Sequence, residues 1–390
     1  MSKWIKVKLG ELPVAFIDGD RGKNYPKQQD FLTTGYCLFL NAENVTAEGF
    51  RFNSLKFISE EKDNSLRKGK VYRNDVILTT RGTVGNVAIY TNSIPFDNVR
   101  INSGMVILRC DDEKVSPLYL YCALRSKEFL LNVNGFKSGV AQPQLPIKDL
   151  KQIEIPLPPL PVQRRIADIL SAYDDLIENN RRRIAILEET ARLAYRKWFG
   201  GAEQGRAATL GEICREVRRG VSPDAIAPDT PYIGLEHMPR RSISLCEWES
   251  AQKVTSTKLA FEAGDILFGK IRPYFHKVGI TFVDGVASSD AIVIKPLYPE
   301  LHAYVLMTVS SDAFVAAASQ GMKEGSKMPR ADWKQLLNYS VVMPDDETLT
   351  EFNKVLNPIL EQLKTLCFSI RNLAAARDML LPRLMKGESV

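Results

Sequence analysis

The stretch PPLPVQRRIADIL, residues 158–170, places three prolines within four positions directly before a strong helical pattern. Residues that precede proline avoid helical angles, so a helix begins here and does not continue from upstream. From Ile166 one row runs Ile166, Leu170, Tyr173, Ile177, Asn180, Ile184, Leu187, Ala191, Ala194 and Trp198, in alternating steps of four and three. That spacing is a heptad seam, the mark of a helix lying along another helix. Asn180 is its one strongly polar member, either a device that fixes register or a wet spot on the seam. Residues 162–199 as one helix span about 57 Å, too long for a small domain, so the helix projects or connects. Gly200 and Gly201 end it.

A second seam closes the chain: Phe352, Leu356, Ile359, Leu363, Leu366, Ile370, Leu373, Arg377, Leu380 and Leu384, followed by Gly387. Pro358 lies inside it and is expected to kink the helix or delay its start, since an interior proline costs about 3 kcal/mol. Other segments also recur in order. KLGEL (8–12) returns as TLGEI (209–213), and RNDVILTTRGTVG (73–85) as EAGDILFGKIRPY (262–274), with Asp75 matching Asp265. SGMVIL (103–108) returns as SDAIVI (289–294), Gly135-x-Lys137-x-Gly139 as Gly321-x-Lys323-x-Gly325, and LPIKDLKQ (145–152) as MPRADWKQ (328–335). Leu187 and Leu373 are 186 positions apart, as are Gly135 and Gly321. The chain is therefore a duplication: a domain over residues 1–158, a long helix over 159–200, a second domain over 201–345 and a second helix over 346–390.

Within each half, DVILTT, NVAIY, MVILRC, DILFGK and AIVIK read as strands, rich in Val and Ile and bounded by Gly or Asp. PLYLYCALRSKEFLLNV and ELHAYVLMTVSSDAFVAAA read as short apolar helices with a serine mid-helix. The expected fold class is α+β: two similar α/β domains separated by two long antiparallel helices that pair as a coiled coil, with pseudo-two-fold symmetry. Two similar heads on a rigid bar suit duplex DNA, whose strands are also related by two-folds and whose half-sites lie about 34 Å or a multiple apart. Since the heads are not identical, the site need not be a palindrome.

Composition permits this reading. Net charge is +6, from 52 basic and 46 acidic residues, which allows a polyanionic partner without requiring one. No run approaches the roughly 18 apolar residues of a membrane span, and the N-terminus has no signal or transit pattern, so a cytoplasmic protein is expected. Six scattered cysteines, with no C-x-x-C pair, read as buried free thiols in a reducing compartment.

In IPLPPLPVQRRIADIL, LEETARLAYRKWF, LLPRLMKGE and the paired strand motifs GDILFGKI and NDVILTTRG, the chain resembles the specificity (S) subunits of type I restriction-modification systems. The resemblance covers essentially the whole chain, although PDDETLTEFNKVL before the second helix lacks the PPLPxQ phrase. It implies a non-catalytic DNA-recognition subunit. Two target-recognition domains each read part of a bipartite target through the major groove. The helices measure the unread spacer and dock two methyltransferase (M) subunits, and restriction/motor (R) subunits complete the complex. It also implies no cofactor in this chain, with S-adenosylmethionine, ATP and magnesium in the partner subunits.

Three enzyme-like patterns carry less. Gly264-x-x-x-x-Gly269-Lys270 is followed by Ile271 where a phosphate loop needs Ser or Thr for magnesium. Asn357-Pro358-Ile359-Leu360 faintly resembles a methyltransferase motif but lies on the seam. His237, His276 and His302 are isolated, with no catalytic or metal-ligand spacing. Two other readings stay open: a stand-alone nucleotide-dependent enzyme, and a two-headed protein scaffold without direct DNA readout.

Phosphates are contacted by Lys and Arg, and base edges by Arg, Lys, Asn, Gln, Ser and Thr on exposed loops. The expected DNA-binding residues are Arg81, Lys137, Ser138, Gln142 and Gln144 in the first half and Lys270, Arg272, Lys323, Lys327 and Arg330 in the second. Tyr25 and Tyr274 are placed to stack or to pack on sugar, and Arg181 to Arg183 to cover a solvent or partner face. No metal site is expected.

Overall fold

The computed structural model describes residues 4–52, 54–136, 143–200, 205–320 and 329–388. The chain divides into two compact units, Met1–Asp175 with Ala374–Val390, and Leu176–Leu373. The two are built alike.

In the first unit a four-stranded antiparallel sheet runs in the order Val14–Asp18, Met105–Cys110, Val76–Thr79, Val87–Ile89. A second sheet runs Phe57–Ile58, Cys37–Leu40, Val99–Ile101, Lys70–Val71, with Val99–Ile101 parallel to Cys37–Leu40. Cys37–Leu40 and Val76–Thr79 are buried at every residue, which explains their unbroken apolar runs. A two-stranded ribbon of Lys6–Lys8 and Glu154–Pro156 joins the two ends of the domain.

The second unit repeats both sheets, each with one added strand. Its first runs Cys214–Val217, Ala291–Pro296, Ile266–Gly269, Val278–Thr281, Ser244–Leu245. Its second runs Gly220–Val221, Lys258–Phe261, Gly285–Ala287, Pro231–Ile233, Glu249–Ser250, again with one parallel pairing, Tyr232 to Val286. Arg206–Thr209 pairs with Ser340–Met343 as the matching ribbon. The aligned aspartates hold matching places. Asp75 takes a two-pronged contact from Arg109, 2.8 Å to each oxygen, and Asp265 lies 4.0 Å from Lys295.

The helical segments differ from expectation. Each splits in two, Pro117–Leu124 and Lys127–Phe136 in the first unit, His302–Val309 and Asp312–Gln320 in the second. The serines read as mid-helix residues cap the new helices: Ser126 Oγ accepts from Phe129 N–H at 3.2 Å and Ser311 Oγ from Phe314 N–H at 3.1 Å.

Two long helices, α1 (Leu160–Phe199) and α2 (Asp346–Lys386), run antiparallel in both units. In the first, Ile166, Ala167 and Leu170 share a core with Leu384 and Met385, and Asp174 accepts a hydrogen bond from Arg377. In the second, Asn180 Nδ2 donates to Ser369 Oγ at 3.0 Å, and the Phe199 and Phe352 rings meet edge to face at 4.9 Å. Rising numbers on α1 thus meet falling numbers on α2. Asn180 is 8% exposed and its amide is used by Ser369, so it is a buried polar link between the helices. Pro358 does not delay α2, which starts twelve residues before it and continues through it. Lys354, whose carbonyl loses its N–H partner to this proline, lies with it on the exposed side, where water can serve instead.

The cysteine reading is corrected in one respect: Cys246 and Cys367 form a disulfide, with Cα atoms 5.0 Å apart, pinning the segment beside Trp248 onto α2. Arg371 covers Trp248 from the same helix at 3.7 Å. Cys37, Cys110, Cys122 and Cys214 are free, and burial pushes each thiol up to about 12.

Candidate nucleic-acid interface

In the first unit the strand Val76–Thr79 runs out of the sheet into residues 80–85. Arg81 forms an isolated antiparallel bridge with Gln144, and Leu145 N–H donates to Thr80 O at 2.9 Å. The turn at residues 102–104 closes the other side, where Gly104 O accepts from the N–H groups of Thr80 and Arg81 at 2.7 and 3.2 Å. Gly82 and Gly85 take φ of +72° and +99°, which lets the loop fold back on itself. The Arg81 side chain is exposed and, among the described residues, has no carboxylate partner.

The second unit repeats the construction. After Ile266–Gly269 the bridge is Ile271 to Arg330, with Ala331 N–H donating to Lys270 O and Arg272 N–H to Pro329 O, both at 2.8 Å. The corresponding turn is residues 288–290, where Asp290 O accepts from Lys270 N–H at 3.0 Å. Arg81 therefore matches Ile271, which is buried, rather than Lys270 or Arg272, while Gln144 matches Arg330. The two clusters share a backbone and differ in side chains.

The differences bear on chemistry. Arg272 stands where the first unit has Gly82 and keeps the left-handed conformation, φ +48°, at a cost of about 1 kcal/mol for a residue with a Cβ. Pro273 follows it, and Phe275 N–H donates back to Arg272 O at 2.8 Å, so the loop is stiff. Arg240 stacks over Phe275 at 4.1 Å and Arg272 lies 5.9 Å from the same ring. Tyr274 is half exposed beside them. Lys270 is partly buried and its ammonium donates to Ser289 O. Arg330 pairs with Asp290 at 3.4 Å, a counter-ion the first unit replaces with Gly104. Tyr25 is half-buried, its ring edge-on to Phe39 at 5.8 Å and its hydroxyl 3.5 Å from Ser103 N–H, so it supports the turn.

Lys137, Ser138, Gln142, Lys323 and Lys327 lie outside the described residues. The Gly-x-Lys-x-Gly pattern falls mostly there too.

The enzyme-like patterns resolve into structure. Gly264 to Lys270 is a turn and the strand Ile266–Gly269, not a phosphate cradle, and Asn357-Pro358 lies within α2. The histidines are tied to backbone: His237 Nδ1 accepts from Gly234 N–H at 2.9 Å, while His276 and His302 lie 2.8 and 2.7 Å from the carbonyls of Ser310 and Gly264. Burial also lowers the His276 pKa. Among the described residues no three His, Cys, Asp or Glu side chains are grouped to hold a metal, and no single helix is long and apolar enough to cross a membrane.

The seam positions line the helix contact. Ile166, Leu170, Ile177, Asn180, Leu356, Leu363 and Leu366 are buried, and Tyr173, Ile184, Leu187, Ile370 and Leu373 are half-buried. Off the seam, Glu188 is 5% exposed and its carboxylate accepts from Ser242 Oγ, Ile243 N–H and Ser244 N–H at 2.7, 3.0 and 3.0 Å. It anchors the added strand Ser244–Leu245 to α1. Periodicity alone gives no sign of this contact.

Residues 1–189 match the family described as the type I restriction modification DNA specificity domain. The type I restriction enzyme MjaIX specificity subunit of Methanocaldococcus jannaschii is 25% identical over 348 residues, 81% of this chain and 78% of that one. Residues 1–189 thus carry that family's domain, and the chain is similar to a type I restriction enzyme specificity subunit along most of its length. The EcoBI specificity subunit of Escherichia coli is 31% identical over a shorter stretch, 32% of this chain and 27% of its own. The crystal structure of the S subunit from M. genitalium covers 98% of this chain and 96% of its own, with a TM-score of 0.59 at 16% identity, a likeness of fold. The loop clusters end the central strands of both units.

Proposed function

We propose that this chain is a type I restriction-modification specificity subunit that reads a split DNA target, one part through each unit, and supplies recognition rather than catalysis to its complex. The observation that carries the reading is the recurrence of one loop construction, Arg81 with Gln144 and Ile271 with Arg330, at the end of the same strand in both units. A shared bridge with unlike side chains around it suits two different base sequences. The first reader would use Arg81 and Gln144 with Lys137, Ser138 and Gln142. The second would use Lys270, Arg272 and Arg330 with Lys323 and Lys327. The recognition domains would be residues 1–158 and 201–345, and the spacer helices 159–200 and 346–390.

The helices would set the gap between the two sequences and dock two methyltransferase subunits, with restriction/motor subunits completing the assembly. S-adenosylmethionine, ATP and magnesium would be held by those partners, and the complex would work in the cytoplasm. The test is to treat DNA with the chain assembled with its methyltransferase subunits and to map the methylated bases. Two short defined sequences separated by a fixed gap are expected. A single continuous sequence, or unpatterned methylation, would overturn the reading.

A further inference from the structure

A second basic loop lies beside Arg81 in the first unit. After the strand Val14–Asp18 the chain passes Gly19, where a Cβ would come within 2.1 Å of Asn102 O, so the loop is pressed onto the turn at residues 102–104. Arg21 Nη2 reaches Ser103 O at 3.3 Å, on the same turn whose Gly104 O holds the backbone of Arg81. The loop and the Arg81 cluster thus share one hub.

Asp20 fixes the loop from below. It is 7% exposed, and its carboxylate accepts from the N–H groups of Gly22, Arg67 and Lys68 at 2.6, 2.7 and 3.3 Å. Burial works to raise its pKa, and these donors outweigh burial and hold it below the usual carboxylate range. Residues 67–68 are themselves fixed, since the buried Arg100 donates to Lys68 O at 2.7 Å and pairs with the fully buried Asp63. The Arg67 guanidinium lies against Gly22, where a Cβ would meet it at 3.0 Å. Lys23, Arg67 and Lys68 are exposed, and among the described residues no carboxylate forms a salt bridge with them. Among the described residues the second unit shows no such clamp. There Arg218 is paired with Glu216 at 2.7 Å and Arg219 with Glu262 at 3.4 Å.

We propose that residues 18–25, with Arg67 and Lys68, form a phosphate-binding edge of the first unit, in which Lys23 and Arg67 contact the DNA backbone beside the bases read by Arg81, and Asp20 is the positioning residue. The inference rests on the DNA-reading function proposed above. Exposed cations on a fixed loop, with only the charge of Asp20 close to Arg67, offer an anion a ready site, and duplex DNA offers phosphates in a row.

The experiment measures duplex affinity of the assembled complex across salt concentrations, for the double variant K23A/R67A, for D20N and for R81A. Two lost phosphate contacts lower the log–log salt slope of K23A/R67A by about two units, with affinity falling equally on target and scrambled duplex. D20N removes a negative charge, so charge alone predicts tighter binding, whereas a positioning role predicts weaker binding. An unchanged slope for K23A/R67A, or a loss confined to the target sequence, overturns the proposal. R81A separates the two claims: a specificity loss in R81A with an unchanged K23A/R67A sinks only the loop. No effect in either variant sinks the DNA-reading function as well. Both residues of the double variant are exposed, so that arm does not depend on the fold tolerating D20N.

Discussion

Single residues decide how firmly the second unit is tied to its helix. Glu188 is the clearest case, because three donors converge on one buried carboxylate oxygen. Glu188→Ala leaves the Ile243 N–H without its partner in a buried place, at about 1–3 kcal/mol, and leaves the Ser244 N–H only Ser242 Oγ at 3.3 Å. Amide hydrogen exchange at Ile243 and Ser244 is therefore expected to speed up by more than tenfold, while exchange in the first unit stays unchanged. Unaltered protection at both amides would show that the strand is held by its neighbour Val278–Thr281 alone. At the same scale, Arg81 can be found from the repeat, because both halves carry a strand motif ending at that place. The Lys23 and Arg67 edge cannot, because it depends on a turn some eighty residues away whose Ser103 O holds Arg21 of the same loop.

Among elements, the long helices are the most legible in the sequence. A heptad row of ten positions leaves little ambiguity, and none of those positions on α1 or α2 is exposed. The central strands Val76–Thr79 and Ile266–Gly269 are legible too, as unbroken apolar runs ending in a turn. The second sheet of each unit is not. Its strands are two to four residues long, too short for an alternation to appear, and they are defined by partners distant in sequence such as Cys37–Leu40 with Val99–Ile101. The split helices were hidden for a local reason, since a serine reads as a tolerated interior residue until its side chain is seen capping. For α1 and α2 the prediction concerns length. Inserting seven residues at matched seam positions in both helices keeps the heptad phase and adds about 10 Å at 1.5 Å per residue. The preferred gap between the two read sequences should lengthen by about three base pairs at 3.4 Å each, with both sequences unchanged. An unchanged gap, or altered end sequences, would show that the helices do not set the spacing.

For the molecule as a whole, the account rests on one duplicated design: two units share backbone construction down to the bridge beside the turn, and their side chains have diverged. Arg272 at the position of Gly82, and Asp290 at the position of Gly104, are where the divergence falls on the loop clusters. The most direct test follows the base preferences of two single variants of the assembled complex, R81A and R330A, against duplexes randomised at each part of the target in turn. Arg81 and Arg330 lie on opposite strands of the matching bridges, one in each unit. The account predicts that R81A relaxes preference in one part only and R330A in the other only, each by about 1–3 kcal/mol per base pair read. Loss of preference in the same part for both variants, or in neither, would contradict it.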